Sequence, residues 1–134
     1  MIRSLAHVAV RVSDIVPALD FYCSKIGLEE AFRLTRDDGA VWIVYLKLGN
    51  QTFIELFPGA NRESRAPGDA VGTNHFCIEV DNVEETVAAW KLKGLNPISG
   101  PSVGKDGAAQ AWYADPDGNR FEIQQYLPDA LQLA

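Results

Sequence analysis

The sequence predicts an α+β fold built from two like halves, each made of a strand, a helix and three further strands. Two observations predict this fold: the chain repeats itself after about 67 residues, and the apolar residues of each half alternate first at strand spacing and then at helical spacing. Two copies are too few for a solenoid, and each is small for a separate domain. We therefore predict a single domain over residues 1–134, composed of module 1 (4–57) and module 2 (74–126) joined by a linker at 58–73.

The repeat is visible in polar and glycine residues as well as in the pattern of hydropathy. The segment beginning at His7 is echoed at His75, 68 residues later, and the other matched positions are separated by 67 residues. These positions are Asp14 with Asp81, Gly27 with Gly94, and Glu55 with Glu122. One residue has therefore been gained or lost after the first strand of one copy.

Module 1 opens with alternating residues at 5–12, which predict a strand with one apolar side. Asp14 is a suitable N-cap for a helix that follows, and Gly27 is suited to end it. The remaining pattern predicts strands at 28–36, 41–48 and 52–57.

Module 2 opens with a strand at 74–80, followed by a helix that Asp81 or Asn82 caps and Gly94 ends. Further strands are predicted near 95–99, 109–114 and 120–126. The turn residues at 115–118 join the last two strands. Residues 100–108, rich in Gly, are expected to form a mobile loop.

Composition excludes several classes of partner. A net charge of −6 and a pI near 4.8 disfavour nucleic acid, which requires a basic face. The chain contains neither a basic amphipathic helix nor an apolar stretch long enough for a bilayer, so we expect no membrane partner and a small-molecule substrate instead. Residues 1–4 lack the apolar core of a signal peptide, and we expect a cytoplasmic protein. Cys23 and Cys77 lack metal or redox spacing and are expected to be buried free thiols.

Four polar residues stand on the strand faces that the helices do not cover: His7, Glu55, His75 and Glu122. A single histidine on a strand is usually a surface or hydrogen-bonded residue, and a single glutamate is usually solvated. Their repeat-related positions favour a shared purpose, because imidazole and carboxylate are ligands of Zn, Ni, Co, Mn and Fe ions. We therefore predict one divalent metal ion held by these four side chains.

Hairpin register predicts the rest of the pocket. A two-residue loop at 49–50 pairs Val44 with Glu55, and a four-residue loop at 115–118 pairs Ala111 with Glu122. Under this register three side chains line an apolar substrate pocket beside the metal: Trp42, Leu46 and Tyr113. Two other aromatic residues are then expected beneath the helices: Tyr45 and Trp112. Core packing remains the alternative for each of these aromatic residues.

Charged side chains offer two further substrate contacts. Arg11 and Glu79 are matched positions on the ligand face, and they either form a salt bridge or leave Arg11 as an anchor for an anion. Lys105, in the predicted loop, is a second candidate for contacting an anionic group.

Several motifs resemble the vicinal oxygen chelate superfamily, the glyoxalase/bleomycin resistance/dioxygenase group. They are the His7-Val-Ala-Val-Arg strand, Glu55 in Ile-Glu-Leu, His75-Phe-Cys-Ile-Glu-Val-Asp, and Asp115-Pro-Asp-Gly-Asn-Arg-Phe-Glu122. The resemblance covers residues 4–126. It implies two βαβββ modules in a curved, incomplete barrel-like mixed sheet with helices on the outer face, a divalent metal ion, and a homodimer.

Within this group the four-ligand pattern is similar to the glyoxalase I type and close to the methylmalonyl-CoA epimerases. The resemblance implies removal of a proton next to a carbonyl through a metal-stabilised enediolate, with Glu122 as the base and Glu55 as its partner. Arg11 matches a glutathione-contacting arginine, whereas Gly59 and Val71 replace the usual asparagine and arginine, which leaves the substrate open. The alternatives are a three-ligand dioxygenase or transferase and a drug-binding resistance protein without catalysis.

Overall fold

The computed structural model describes residues 1–64 and 68–134. The chain separates into two compact units, Met1–Pro67 and Gly68–Ala134, which we call unit 1 and unit 2. The boundary falls within the predicted linker, of which residues 65–67 lie outside the described residues. Each unit contains a strand, a helix and three strands in that order, which confirms the predicted fold class.

Unit 1 contains a four-stranded mixed sheet and one helical segment. Its strands are β1 (His7–Arg11), β2 (Glu29–Thr35), β3 (Val41–Gly49) and β4 (Thr52–Phe57). The helix α1 (Ile15–Leu19) continues as a π-helical stretch, Asp20–Lys25. In the order β1-β4-β3-β2, β1 is parallel to β4 and the other neighbours are antiparallel.

Unit 2 repeats this arrangement. It contains β5 (Phe76–Glu79), α2 (Val83–Leu92), β6 (Ser99–Val103), β7 (Ala108–Ala114) and β8 (Arg120–Tyr126). The sheet order is β5-β8-β7-β6, with β5 parallel to β8. Short 3-10 turns lie at Arg62–Ser64 in unit 1 and Leu131–Leu133 in unit 2. None of the helices in the described part of the chain has the length and apolar character needed to cross a bilayer.

Both helices begin and end where the sequence predicts. The Asp14 side chain accepts a hydrogen bond from the backbone N–H of Val16 at 2.9 Å. In unit 2 the cap is Asn82, whose side chain accepts from a first-turn N–H at 3.0 Å. Gly27 and Gly94 follow the two helical segments with φ of +97° and +80°, a conformation that favours glycine.

Each sheet buries one face. In unit 2, Trp90 of α2 packs against Tyr113 and Phe121, with ring centroids 4.9 and 6.3 Å apart. In unit 1 the fully buried residues include Tyr22, Val44, Leu46, Ile54 and Leu56. Because strand side chains alternate, the residues between these positions lie on the opposite face, which we call the ligand face of each unit.

The second strand of unit 2, β6, lies later in the chain than predicted. β6 spans residues 99–103 rather than 95–99, so half of the expected mobile loop at 100–108 is strand. Gly100 and Pro101 masked the strand pattern. Proline is tolerated here because β6 is an edge strand, where one side of the backbone needs no ladder partner.

The predicted hairpin registers are wrong by one residue. Glu55 pairs with Tyr45 rather than Val44. Glu122 pairs with Trp112 rather than Ala111. Because strand side chains alternate, a one-residue slip moves every residue of the partner strand to the other face.

Both errors come from the loops. The first hairpin turns at Asn50 and Gln51, with a register irregularity between Lys47 and Gly49. The second loop contains five residues, since Ala114 pairs with Arg120. Neither the irregular pairing in the first hairpin nor the extra loop residue in the second could be recognised from the amino-acid types in the loops.

Candidate metal centre

Unit 1 brings together one of the two predicted histidine–glutamate pairs. His7 begins β1 and Glu55 lies in the adjacent parallel strand β4. The His7 Nδ1 and Glu55 Oε1 atoms are 3.4 Å apart. The histidine is half-exposed, whereas the glutamate is only 5% exposed although it carries a carboxylate.

Unit 2 brings together the matching pair. His75 directly precedes β5, and Glu122 lies in the adjacent parallel strand β8. The His75 Nε2 and Glu122 Oε2 atoms are 3.4 Å apart, and Glu122 is also 5% exposed. Thus each unit presents a partly accessible imidazole beside a buried carboxylate.

Two neighbours bind the remaining polar atoms of the unit 2 pair. The His75 Nδ1 lies 2.7 Å from the Asn74 Oδ1. The Gln124 Nε2 donates to the Glu122 Oε1 at 2.7 Å. Neither neighbour was singled out by the sequence, although each stands within two residues of a predicted ligand.

The predicted ligands occur as these two pairs. No group of three or more His, Cys, Asp or Glu side chains able to hold a metal ion is found across residues 1–64 and 68–134. Imidazole nitrogen and carboxylate oxygen are suitable donors for borderline divalent ions. A single ion bound by all four residues stays a prediction.

Aromatic side chains surround the unit 1 pair. Tyr45 is the cross-strand neighbour of Glu55, stacks on Phe32 at 4.3 Å and meets Phe53 at 6.0 Å between centroids. A hydrogen bond to the Glu55 carboxylate is the main reason that the pKa of Tyr45 is raised. The expectation that Tyr45 lies beneath the helix is wrong, and the incorrect register explains why it was missed.

Trp112 similarly stands beside the unit 2 pair. It is the cross-strand neighbour of Glu122, and its ring meets His75 edge-on at 4.4 Å. The guanidinium of Arg120 lies 5.4 Å from the Trp112 ring centroid, a cation–π distance. The prediction that Trp112 packs under the helix is therefore also wrong.

Two residues predicted to line the pocket belong to the cores instead. Leu46 is fully buried and Tyr113 is 1% exposed, and both lie on the face opposite the glutamates. The third predicted pocket residue, Trp42, has no partner residue in the pairing of β2 with β3, as is typical of a β-bulge. Its side chain is 43% exposed. The Arg36 guanidinium lies 5.7 Å from its ring centroid.

The charged candidates lie at exposed positions. Arg11 ends β1 and is the cross-strand neighbour of Phe57, whereas Glu79 ends β5 and neighbours Gln124. Lys105 is exposed in the turn between β6 and β7. Substrate contacts by Arg11 and Lys105 stay predictions.

Cys77 is the cross-strand neighbour of Glu122 and is exposed, contrary to the expectation of a buried thiol. Both cysteines are free, as predicted. Although the residue as a whole is exposed, partial desolvation of its thiol, together with the charges of Glu122 and Glu79, raises the pKa of Cys77 to about 12. The thiol is therefore protonated at neutral pH, which argues against a thiolate nucleophile here.

Comparison with known proteins identifies the family. The model of the Glyoxalase/Bleomycin resistance protein/Dioxygenase superfamily matches residues 4–123. The chain belongs to this superfamily. The match spans both units and both histidine–glutamate pairs, and it confirms the resemblance seen in the motifs.

Relatives in the superfamily include enzymes of two types. The chain is 34% identical over 100 residues to the mitochondrial methylmalonyl-CoA epimerase of Homo sapiens, covering 71% of this chain and 56% of the relative. The chain therefore spans only a little more than half of the length of this epimerase. A lactoylglutathione lyase of Neisseria meningitidis serogroup A is 29% identical over 125 residues, covering 90% of this chain and 89% of the lyase.

The fold also occurs in the solved structure of an antibiotic binding protein. The solved structure of TnmS3, an antibiotic binding protein from Streptomyces sp. CB03234, matches with a TM-score of 0.73 and 23% identity, covering 94% of this chain and 98% of that one. This likeness shows the shared fold alone. The side chains of the ligand faces must therefore carry any functional conclusion.

Proposed function

We propose that the protein is a divalent-metal-dependent lyase or isomerase that removes a proton from a carbon next to a carbonyl group of a small molecule. The observation that carries the proposal is the pair of repeat-related histidine–glutamate contacts at 3.4 Å, each with a carboxylate held out of solvent. The enzyme relatives, a lyase and an epimerase by name, support the same class of chemistry.

The side chains of these pairs suit a divalent ion. A buried carboxylate is costly unless its charge is compensated, and a cation beside it supplies that compensation. His7, Glu55, His75 and Glu122 would hold the ion. When bound, it supplies Lewis acidity that polarises the substrate carbonyl and offsets negative charge developing during proton removal.

The two glutamates take the acid–base roles in this proposal. Glu122 Oε2 would be the oxygen that contacts the ion and, once that contact loosens, the one that takes the substrate proton, because Oε1 already accepts the Gln124 amide. Glu55 serves as its partner for returning a proton. Arg11 is the proposed anchor for a substrate anion, and the exposed ring of Phe32, which stacks on Tyr45, offers an apolar surface beside the unit 1 pair.

Metal stoichiometry and proton exchange test the proposal together. The purified chain is stripped with a chelator and titrated with Ni²⁺ or Zn²⁺, and we expect one ion per chain. Two carbonyl substrates are then offered in D₂O: the hemithioacetal of methylglyoxal with glutathione, and methylmalonyl-CoA. Metal-dependent deuterium incorporation next to the carbonyl is the expected result.

Two outcomes contradict the proposal. Exchange that continues at full rate in the metal-free chain would exclude a metal role, and a chain that binds no divalent ion would remove the basis of the site. Binding of two ions per chain would show that each pair acts separately.

Epimerisation is the second candidate, favoured by the 34% identity to the human epimerase over 71% of this chain. Gly59 and Val71, which replace two residues typical of the glutathione-dependent lyases, support it as well. The two substrates above separate the candidates. Exchange with the thioester alone supports the epimerase, whereas turnover of the hemithioacetal supports the lyase.

A further inference from the structure

The hydrogen bond between Asn74 and His75 defines which ring nitrogen of His75 is available. An amide oxygen only accepts hydrogen bonds, so the Nδ1 that lies 2.7 Å from the Asn74 Oδ1 must carry the proton. In the neutral ring the Nε2 then holds a lone pair. The Nε2 atom that carries this lone pair lies 3.4 Å from the Glu122 Oε2.

The Glu122 carboxylate is oriented in a comparable way. Its Oε1 accepts the amide of Gln124 at 2.7 Å, so its Oε2 is the oxygen presented to His75. Two groups with available lone pairs therefore face each other. Such an arrangement is stabilised when a cation lies between them, because lone pairs that face each other otherwise repel.

We propose that Asn74 and Gln124 are positioning residues that hold His75 in its Nδ1–H form and turn His75 Nε2 and Glu122 Oε2 toward a common ligand position. Hydrogen bonds to the outer atoms of metal ligands set tautomer and orientation in this manner. The metal part of the proposal rests on the proposed function, whereas the tautomer belongs to the free protein.

Unit 1 provides an internal comparison. The repeat places Ala6 where unit 2 has Asn74, and Phe57 where unit 2 has Gln124. Neither side chain can supply the corresponding hydrogen bond. His7 accordingly presents its Nδ1, not its Nε2, to the glutamate. The two pairs are therefore chemically different, with unit 2 holding the pre-oriented pair.

Nitrogen-15 NMR of the metal-free chain tests the tautomer directly. The sequence contains only two histidines, and the spectrum is recorded in alkaline solution, the condition under which imidazole in general is neutral. We expect His75 to be mainly Nδ1–H. The Asn74→Ala variant should shift it toward Nε2–H, whereas Asn74→Asp, which retains an acceptor, should preserve Nδ1–H. The His7 signals, which serve as the control, should not move.

The opposite spectra would overturn the proposal. A wild-type His75 that is mainly Nε2–H, or an Asn74→Ala spectrum identical to wild type, removes the role of Asn74. For Gln124 the side-chain amide signals are followed in the metal-free chain, and they should move in Glu122→Ala. If the Gln124 amide signals do not move in Glu122→Ala, a hydrogen bond between Gln124 and Glu122 is contradicted.

Metal affinity tests whether Asn74 and Gln124 affect metal binding. Asn74→Ala and Gln124→Met should each weaken Zn²⁺ or Ni²⁺ binding by roughly 10- to 100-fold, measured by competition with a metal-sensitive dye. Gln110→Met, on the strand beside Gln124, is the matched control and should bind as wild type does. Unchanged affinity in both positioning variants contradicts the proposal. If the wild-type chain binds no metal, the proposed function is contradicted instead. The positioning role of Asn74 is then decided by the tautomer of His75 in the metal-free chain.

Discussion

Two buried carboxylates are the main chemical features at the residue scale. Glu55 and Glu122 are each 5% exposed, and a solvent-excluded carboxylate requires hydrogen bonds or a nearby charge to be tolerated. Tyr45 provides such a bond to Glu55, and Gln124 provides one to Glu122. The two glutamates therefore have different donors, a phenol and an amide, although they occupy matched positions of the repeat.

Glu122→Gln should preserve folding and abolish metal-dependent proton exchange. The amide has nearly the shape of the carboxylate, but it is not a base and is a much weaker ligand. Circular dichroism should be unchanged, while exchange in D₂O falls by at least about 100-fold. Exchange at the parental rate would show that another residue takes the proton. Glu79→Gln, a carboxylate at the end of β5, is the control and should retain activity.

Tyr113→Phe should stabilise the protein at neutral pH. Among the described residues, the Tyr113 hydroxyl is a buried side-chain polar atom without a hydrogen-bond partner. Removing it should raise the free energy of unfolding by about 1 kcal/mol, measured by urea denaturation. Proton exchange should be unaffected, because Tyr113 lies in the core rather than on the ligand face. Loss of activity would instead favour the original pocket prediction.

The same variant should be less sensitive to alkali. Burial raises the pKa of Tyr113 from 10.0 to about 12. The neutral phenol therefore favours the folded state below pH 10, and this contribution is lost as pH rises from 10 towards 12, where only the unfolded chain ionises. The stability difference between Tyr113→Phe and wild type should widen across that window.

The loop between β7 and β8 controls register at the scale of the element. The Asp115 carboxylate is buried and accepts the backbone N–H groups of Asp117 and Asn119 at 2.9 and 2.8 Å. It also accepts the Asn119 side-chain amide at 2.8 Å. These bonds close a five-residue loop, and that length places Glu122 opposite Trp112.

Asp115→Ala should destabilise the protein by about 2 kcal/mol, because three hydrogen bonds to a charged group are lost. The cost is measured by urea denaturation. Asp115→Asn retains one acceptor oxygen and should lose less. Asp38→Ala provides a matched comparison, since Asp38 accepts a similar turn N–H at 2.9 Å in an exposed loop. Equal costs at the two sites would contradict a special role for the buried carboxylate.

At the scale of the whole molecule, each unit contains one histidine–glutamate pair. A metal ion that requires both pairs makes the two units depend on each other energetically, whereas separate ions leave them independent. The homodimer implied by the family resemblance stays a prediction, tested by the molar mass in solution.

Metal addition should raise the thermal stability of the chelator-treated chain by an amount that depends on both pairs. Ligand at 100 times its Kd adds about 2.7 kcal/mol, which is measurable as an increase in Tm. His7→Ala and His75→Ala should each remove most of this increase, and the double variant should remove little more. Additive losses in the single variants would indicate two independent ions. Unchanged increases in both would exclude the histidines as ligands.

Much of the molecule could be predicted because it depends on local patterns. Alternating apolar residues predicted the strands, Asp14 and Gly27 predicted the ends of a helix, and the repeat drew attention to the histidine–glutamate pairs. Strand β6 was misplaced because Gly100 and Pro101 break the apolar alternation that identifies other strands.

The two-half architecture and the ligand-type residues at matched positions follow from the residue order alone, since alternation and residue identity are local properties. Which aromatic side chains share a face with the glutamates depends instead on how the strands pair in the folded chain. Tyr45 and Trp112 occupy that face, and Leu46 and Tyr113 are buried on the other. The physical reason is that strand side chains alternate with a period of two, so one residue more or less in a loop exchanges the two faces of the paired strand.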